Sequence, residues 1–271
     1  MLFNLFMFII CIGEMKRWAL ENTITDEILE RNAGMTIRAV VIDIGGVLEI
    51  TPPTGWVEKW EARLHLNPGE LDERLMDVWR TGSLGTISQE EVEKRIGKIM
   101  GMDQGQVAAL MADLWEEYLG ELNVELAAYF ASLRPRYQTA ILSNSFAGAR
   151  GKEQERYHFA ELCDLLIYSH EEGIAKPERR IFELTCERLG VQPAEVVFLD
   201  DVEANIAAAR EFGMQAILFR ETQEAMGAIQ ACLQASSPAV TYAVRSPSSG
   251  EENALEGEDC GSIDSSSRAG S

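Results

Sequence analysis

The residues that suggest chemistry begin with Asp43, which directly follows the apolar run 39–42 and precedes Ile44 and two glycines. A short apolar run that stops at a turn predicts a buried strand. Ligands of open α/β sheets bind just outside the carboxyl ends of the strands. A carboxylate at this point can therefore serve as a nucleophile or a metal ligand, although many strands end in Asp only because of the turn.

Three further segments place polar side chains after apolar runs. Ser143 and Asn144 follow the run 139–142, Lys176 lies in the segment 173–177, and Asp200 and Asp201 follow the run 196–199. A carboxylate, a hydroxyl, an ammonium group and an acidic pair suit phosphoryl transfer. Catalysis of that reaction consists mainly of positioning and of neutralising charge on the phosphoryl oxygens.

Each group has a possible role in such a reaction. Lys176 can neutralise both Asp43 and a phosphate, and Ser143 can donate a hydrogen bond to a phosphate oxygen. Asn144, beside Ser143, is a further candidate for substrate binding. Asp43, Asp200 and Asp201 offer the hard carboxylate oxygens that Mg²⁺ prefers, and the ion would let two anions approach each other.

Every one of these residues also has a purely structural interpretation. Asp43 can be a turn residue, Ser143 and Asn144 a helix cap, and Lys176 a surface lysine. The acidic pair can cap the helix that contains Asn205. As a set of strand-end residues they favour the functional interpretation, with Asn205 holding the acidic loop rather than touching substrate.

The elements that must position these residues alternate between strands and helices. Strand patterns are found at 37–42, 139–142, 165–168, 196–199 and 215–219. Helical patterns lie between them, one beginning at Pro177 and ending at Gly190 and another covering 203–212 before Gly213. This alternation predicts an α/β fold with a doubly wound, parallel, five-stranded Rossmann-like sheet.

The segment 54–130 breaks that alternation and predicts an inserted α-helical cap domain. It contains helical patterns at 69–79, 88–100 and 104–119 and no convincing strand. Inserted after the first strand, such helices would lie over the carboxyl edge of the sheet as a lid. Four of the five tryptophans are in this segment, and we expect them to form its core rather than to touch substrate.

With these motifs the chain resembles the haloacid dehalogenase-like superfamily, in the branch with a helical cap after the first strand. The motifs are Val-Ile-Asp-Ile-Gly-Gly-Val-Leu at 41–48, Ile-Leu-Ser-Asn-Ser at 141–145, Gly-Ile-Ala-Lys-Pro-Glu at 173–178 and Phe-Leu-Asp-Asp-Val-Glu-Ala-Asn at 198–205. The resemblance implies an Asp43 nucleophile that forms an aspartyl-phosphate, and phosphate binding by Ser143 and Lys176. It implies a Mg²⁺ site made by Asp43, Asp200, Asp201 and the backbone carbonyl of Gly45.

The sequence departs from that family pattern at Gly45. Most phosphatases of the superfamily carry there a second Asp, which protonates the leaving oxygen and then activates water, a contribution of about 10²–10⁴-fold. Its loss disfavours a phosphomutase and favours esters with good leaving groups. The expected function is a Mg²⁺-dependent phosphatase acting on a small phosphorylated metabolite. The alternatives are a non-catalytic phosphate- and metal-binding protein and, less favoured by the acidic pair, a 2-haloacid dehalogenase.

Composition limits the partners and the compartment. A formal net charge of -20 argues against nucleic acid, whose phosphates attract Lys and Arg. Five scattered cysteines suit free thiols in a reducing compartment, so we expect a cytoplasmic protein. The apolar segment 1–13 is too short to span a membrane, and a membrane partner is disfavoured. The sequence does not predict the oligomeric state.

The predicted domain organisation has four parts. Residues 1–34 form an N-terminal extension, because Met35 would make a natural start for the first strand. Residues 35–53 and 131–235 form the α/β core, and residues 54–130 form the cap. Residues 236–271 are rich in Ser, Gly, Glu and Pro and are expected to form a disordered tail.

Overall fold

A computed structural model describes residues 36–235 of the chain. The predicted N-terminal extension 1–34 and the predicted disordered tail 236–271 lie outside the described residues. No helix within 36–235 is long and apolar enough to cross a membrane.

The core of the structure is a five-stranded parallel sheet with the strand order β5-β4-β1-β6-β7. The strands are β1 (Ala39–Ile42), β4 (Gln138–Ser143), β5 (Leu165–Tyr168), β6 (Val196–Asp200) and β7 (Gln215–Leu218). Each predicted strand is present, with bounds that differ by no more than two residues at either end. The predicted α/β fold with a doubly wound, five-stranded sheet is therefore confirmed.

The register of the three central strands brings their carboxyl ends to one level. Ile42 of β1 pairs with Ile141 of β4 on one side and with Leu199 of β6 on the other. One residue further along, Asp43 follows Ile42, Leu142 follows Ile141 and Asp200 follows Leu199. The sheet itself thus places the first acid beside one member of the acidic pair.

Helices cover both faces of the sheet because its strands are apolar on both sides. Val40 and Ile42 pack in a cluster with α5 (Val124–Ser132), α7 (Phe159–Leu162) and α11 (Thr222–Ala235). Ala39 and Val41 pack on the other face with α9 (Arg179–Leu189) and α10 (Glu203–Phe212). Two short helices complete the core: α6 (Ala149–Tyr157) and α8 (Ser169–Glu172).

The inserted segment forms four helices around its own hydrophobic cluster. They are α1 (Trp56–Leu64), α2 (Glu70–Ser83), α3 (Gln89–Met100) and α4 (Gln104–Leu119). Its four tryptophans are buried in this cluster, at most 6% exposed, so the expectation that they form the core of the cap is confirmed. Phe146 and Ala149, which follow β4, belong to the same cluster and join these helices to the sheet.

The inserted segment differs from its prediction at its two ends. A two-stranded antiparallel ribbon, β2 (Glu49–Ile50) with β3 (Glu121–Leu122), joins the entry and exit of the four helices. The expectation of no strand in 54–130 is therefore wrong at β3. Because α5 buries Leu126 and Phe130 against the sheet, we propose that the cap ends near residue 122 rather than at 130.

Candidate active site

Asp43 directly follows the last residue of β1, at the carboxyl edge of the sheet. Its side chain is almost buried, 7% exposed. Its main-chain N–H donates to the carbonyl of Leu199 at 3.0 Å, which continues the pairing between β1 and β6. The N–H of Ile44 donates to Oδ1 of Asp43 at 2.7 Å. This backbone hydrogen bond orients the carboxylate in the absence of a ligand.

The two glycines of this loop, Gly45 and Gly46, differ in the space around them. Gly46 has a left-handed φ of 76°, and a Cβ built on it would lie 2.2 Å from Oδ2 of Asp201. Only glycine lets this loop approach the second acid of the pair so closely. A Cβ built on Gly45, in contrast, would meet no atom within 4 Å. The position predicted to lack a general acid therefore has room for a side chain.

Lys176 binds the ends of three strands with one ammonium group. Its Nζ lies 2.7 Å from Oδ1 of Asp43, 2.7 Å from Oδ2 of Asp200 and 2.9 Å from the carbonyl oxygen of Leu142, to all of which it donates. The side chain is fully buried. Burial alone would lower the pKa of Lys176, but the charges of Asp200 and Asp43 outweigh burial and raise it. The residue is therefore an ammonium cation that neutralises the predicted nucleophile.

Asn144 has a different environment from the one predicted for a substrate ligand. Its Nδ2 donates to the carbonyl of Lys176 at 2.8 Å, and its Oδ1 accepts the main-chain N–H of Lys176 at 2.8 Å. These two bonds hold the loop that carries the ammonium group. The amide of Asn144 thus positions Lys176 through its backbone, and a contact of Asn144 with substrate stays a prediction.

Ser143 is the last residue of β4, between the Leu142 carbonyl that Lys176 contacts and Asn144. It is 2% exposed. A phosphate-binding role for Ser143 stays a prediction.

Asp200, the last residue of β6, is fully buried and accepts hydrogen bonds at both carboxylate oxygens. Its Oδ1 accepts the main-chain N–H of Val202 at 2.8 Å. Asn205 donates from Nδ2 to both carboxylate oxygens, at 3.0 and 3.1 Å. The expectation that Asn205 holds the acidic loop is confirmed by these bonds.

Three carboxylates converge at this edge of the sheet. Asp43, Asp200 and Asp201 each offer an oxygen, and these oxygens lie within 4.8 Å of one another. Burial raises the pKa of Asp43 well above its ordinary value, and the charges of Asp200 and Asp201 add to the rise while Lys176 opposes it. Burial, followed by the charge of Asp200, raises the pKa of Asp201 to about 6. One lysine does not balance three acids, two of them buried and the third half-buried, so this donor set fits a divalent cation.

Two features of the site have no counterpart in the sequence interpretation. The carbonyl of Leu142 is a ligand of the Lys176 ammonium, which no side-chain pattern reveals. The second feature is the close fit of Gly46 against Asp201, for which a glycine pair shortly after a strand-end acid is a recognisable sequence signal.

Comparison with known proteins agrees with this geometry. The family model described as "haloacid dehalogenase-like hydrolase" matches residues 37–213, more than half of the chain. The chain belongs to this family. The match contains all four strand-end motifs of the site.

Among curated proteins, the chain resembles both multidomain proteins and phosphatases. It is 28% identical over 214 residues to acyl-CoA dehydrogenase family member 10 of Mus musculus, matching 74% of this chain and 20% of that protein. It is 30% identical over 215 residues to bifunctional epoxide hydrolase 2 of Sus scrofa, matching 71% of this chain and 38% of that protein. The chain thus spans well under half the length of these two relatives. It is 27% identical to the D-ribitol-5-phosphate phosphatase of Bacteroides thetaiotaomicron, matching 66% of this chain and 90% of that protein.

Solved structures of the family share the fold. A predicted HAD-like family hydrolase from Porphyromonas gingivalis superimposes with a TM-score of 0.62 at 24% identity, covering 73% of this chain and 98% of the other. A HAD family enzyme from Bacteroides thetaiotaomicron, solved in complex with magnesium and inorganic phosphate, gives a TM-score of 0.59 at 25% identity. It covers 68% of this chain and 94% of that one.

Proposed function

We propose that this chain is a Mg²⁺-dependent phosphatase that acts on a small phosphorylated metabolite through an aspartyl-phosphate on Asp43. The observation that carries the proposal is the Lys176 ammonium group, which contacts both Asp43 and Asp200 beside a third acid. Phosphatases among the relatives and a family structure with magnesium and phosphate support it.

In the first step a carboxylate oxygen of Asp43 attacks phosphorus, and the bond from phosphorus to the leaving oxygen breaks. Water then attacks the phosphorus of the aspartyl-phosphate, which breaks its bond to Asp43 and releases inorganic phosphate. Lys176 favours the ionised form of Asp43 and neutralises charge on the phosphoryl oxygens, and Ser143 donates a hydrogen bond to one of them. Asn144 acts indirectly, by holding Lys176 in place.

Asp43, Asp200, Asp201 and the carbonyl of Gly45 would hold the metal ion. When bound, Mg²⁺ supplies positive charge between the carboxylate and the phosphate. The four helices 56–119 would cover the site, exclude water and contact the non-phosphate part of the substrate. We propose a cytoplasmic location, supported by the free thiols Cys163 and Cys186, and we expect no nucleic-acid partner.

A screen of phosphorylated metabolites with Mg²⁺ tests this function. We expect phosphate release from at least one compound, lost on chelation and lost in Asp43→Asn. Release that survives Asp43→Asn would remove Asp43 from its role.

The open position at Gly45 favours a second candidate, a protein that binds phosphate and metal without turnover. Such a protein would bind Mg²⁺ and beryllium fluoride, a phosphate mimic, and release no phosphate from any compound of the screen. Because a Cβ at Gly45 meets no atom within 4 Å, Gly45→Asp is a practical test. A large gain in hydrolysis by this variant, from a wild type with none, would support the second candidate.

A further inference from the structure

Two buried carboxyl groups next to the candidate active site have no role in the chemistry described above. Glu49 is 1% exposed and Glu153 is fully buried. In each of them the Oε1 atom has no hydrogen-bond partner within the part of the chain that the structure describes. Buried acidic oxygens are rarely left unpaired, because removing a carboxylate from water is costly.

Glu49 is attached to the loop of the predicted nucleophile. Its main-chain N–H donates to the carbonyl of Ile44 at 2.8 Å, and its carbonyl accepts the N–H of Gly46 at 2.8 Å. As a residue of β2 it also pairs with Leu122 of β3, where the chain leaves the cap. Glu49 therefore lies where the active-site loop meets the ribbon that joins cap and core.

Glu153 lies on another element that contacts the end of the cap. It lies on α6, and its Oε2 accepts a hydrogen bond from the hydroxyl of Tyr168 at the end of β5. Another residue of α6, Tyr157, donates from its hydroxyl to the carbonyls of Leu119 and Gly120, at 3.1 and 2.7 Å, at the end of the last cap helix. Helix α6 thus connects Glu153 to the cap as well.

The arginines in the vicinity do not pair with these acids. Arg150 uses its Nε and Nη2 on the two carboxylate oxygens of Glu171, at 2.6 and 2.7 Å, and its guanidinium lies over the ring of Tyr168. Arg156 is exposed and lies over the ring of Tyr157. Within residues 36–235 neither arginine forms a salt bridge to Glu49 or Glu153.

The electrostatics of the two groups are linked. Burial raises the pKa of Glu49 to about 10; the charge of Glu153 adds to the rise, and the charge of Arg156 opposes it. Burial raises the pKa of Glu153 to about 7, against the opposing effects of the hydrogen bond from Tyr168 and the charge of Arg150. Burial raises the pKa of Tyr118 on the last cap helix, and the charges of Glu153 and Glu49 add to the rise. A pair of this kind holds protons unless another cation replaces them.

We propose that Glu49 and Glu153 together bind a cationic group through their Oε1 atoms. The cation is either a free monovalent ion or an ammonium group on the substrate; the second source rests on the proposed phosphatase function, and the first does not. A cation at this place would join the active-site loop, the cap ribbon and helix α6. It would also place positive charge near Asp43.

Thermal unfolding in different salts tests the first source. The wild type is heated at pH 8 with K⁺, Na⁺ or NH₄⁺ chloride and, at equal ionic strength, with tetramethylammonium chloride, whose cation is too large for a buried site. We expect a small cation to raise the Tm by about 3 °C. Glu153→Gln and the double variant with Glu49→Gln should lose this difference.

A matched control comes from another buried carboxyl group. Glu61 is 5% exposed, but its Oε1 accepts hydrogen bonds from the N–H groups of Gly69 and Leu71. That oxygen therefore already has partners. Glu61→Gln should keep the cation response of the wild type. The comparison uses the difference between salts, so a change in the Tm of a variant as such does not disturb it.

Paired ligands test the second source. Glucosamine 6-phosphate is compared with glucose 6-phosphate, and 2-aminoethyl phosphate with 2-hydroxyethyl phosphate. An amine site should favour the amino compound by about tenfold in kcat/KM, or about 1.4 kcal/mol, and Glu153→Gln should reduce that preference towards one. The same pairs are measured by thermal stabilisation of Asp43→Asn, which needs no turnover.

The outcomes separate the two sources and the two proposals. A cation-dependent Tm that is lost in Glu153→Gln supports the free ion, and a preference for amines supports the substrate ammonium group. If neither appears, the cation site is wrong and the pair simply carries protons. If no ester is hydrolysed, the phosphatase proposal fails, while the thermal measurements still decide the cation site.

Discussion

The ammonium nitrogen of Lys176 lies 2.7 Å from Oδ1 of Asp43, although the two residues belong to segments far apart in the sequence. The same nitrogen lies 2.7 Å from Oδ2 of Asp200. One buried cation thus compensates two buried anions from two neighbouring strands. Removing the lysine alone should therefore leave two buried carboxylates without their cation and destabilise the site.

Replacing Lys176 tests that statement. Lys176→Met leaves Asp43 and Asp200 buried without their cation, which typically costs about 3–5 kcal/mol. We expect a lower free energy of unfolding in urea and a loss of phosphate release of at least about 10²-fold. Lys94→Met, at a side chain that is 77% exposed, should change neither quantity. An unaltered unfolding curve for Lys176→Met would show that the ion pairs contribute little.

The two adjacent glycines make a second, internally controlled prediction. Gly46→Ala forces a Cβ into the Asp201 carboxylate at a left-handed φ, so we expect weaker Mg²⁺ binding and at least about tenfold lower activity. Gly45→Ala adds the same methyl group in open space and should leave Mg²⁺ binding within about threefold. Equal effects of the two substitutions on Mg²⁺ binding would contradict the assigned loop geometry.

The leaving group should matter more for this chain than for a phosphatase with a general acid. Without an acid at Gly45, the leaving oxygen departs unprotonated, so kcat/KM for aryl phosphates should fall steeply as the pKa of the leaving phenol rises. Gly45→Asp should flatten that dependence and gain most on alkyl phosphates, within the range of about 10²–10⁴ that such acids contribute. A wild-type rate that is independent of the leaving group would place a proton donor elsewhere in the site.

Mg²⁺ affinity should depend on pH through Asp201. Its pKa is raised to about 6, so the carboxylate takes a proton as the pH falls through that value and then competes with the metal. Below pH 6 we expect the affinity to fall by about tenfold per pH unit or more, because Asp43 has a raised pKa as well. Mg²⁺ titrations followed by thermal unfolding at pH 5, 6 and 7 measure this. Equal affinity at pH 5 and pH 7 would mean that neither acid is a ligand.

Much of the fold and most of the site follow from local sequence patterns. Each strand of the sheet is a short apolar run, and parallel pairing in register brings residues such as Asp43 and Asp200 to the same edge. The resemblance to a capped family added the roles of these residues, which apolar patterns alone do not supply. The role of Asn205 follows from its position in the first turn of the helix after the acidic pair.

The failures concern contacts between distant segments. The sequence does not show that the amide of Asn144 meets the backbone of Lys176, 32 residues later, so these bonds are not predictable from it. Strands β2 and β3 of the ribbon have only two residues each, too few to show a periodic pattern in the sequence. Glu153 lies in the strongly polar helix Ala149–Tyr157, so nothing local announces that its carboxyl group is buried.

The most direct test of the central claim is a rapid-quench experiment with a ³²P-labelled substrate taken from the metabolite screen. Acid quenching within the first turnover should leave ³²P covalently bound to the wild-type protein in a form that hydroxylamine removes, as expected for an acyl phosphate. Asp43→Asn should carry no label. Release of labelled phosphate without any labelled protein, or label that persists in Asp43→Asn, would contradict attack by Asp43.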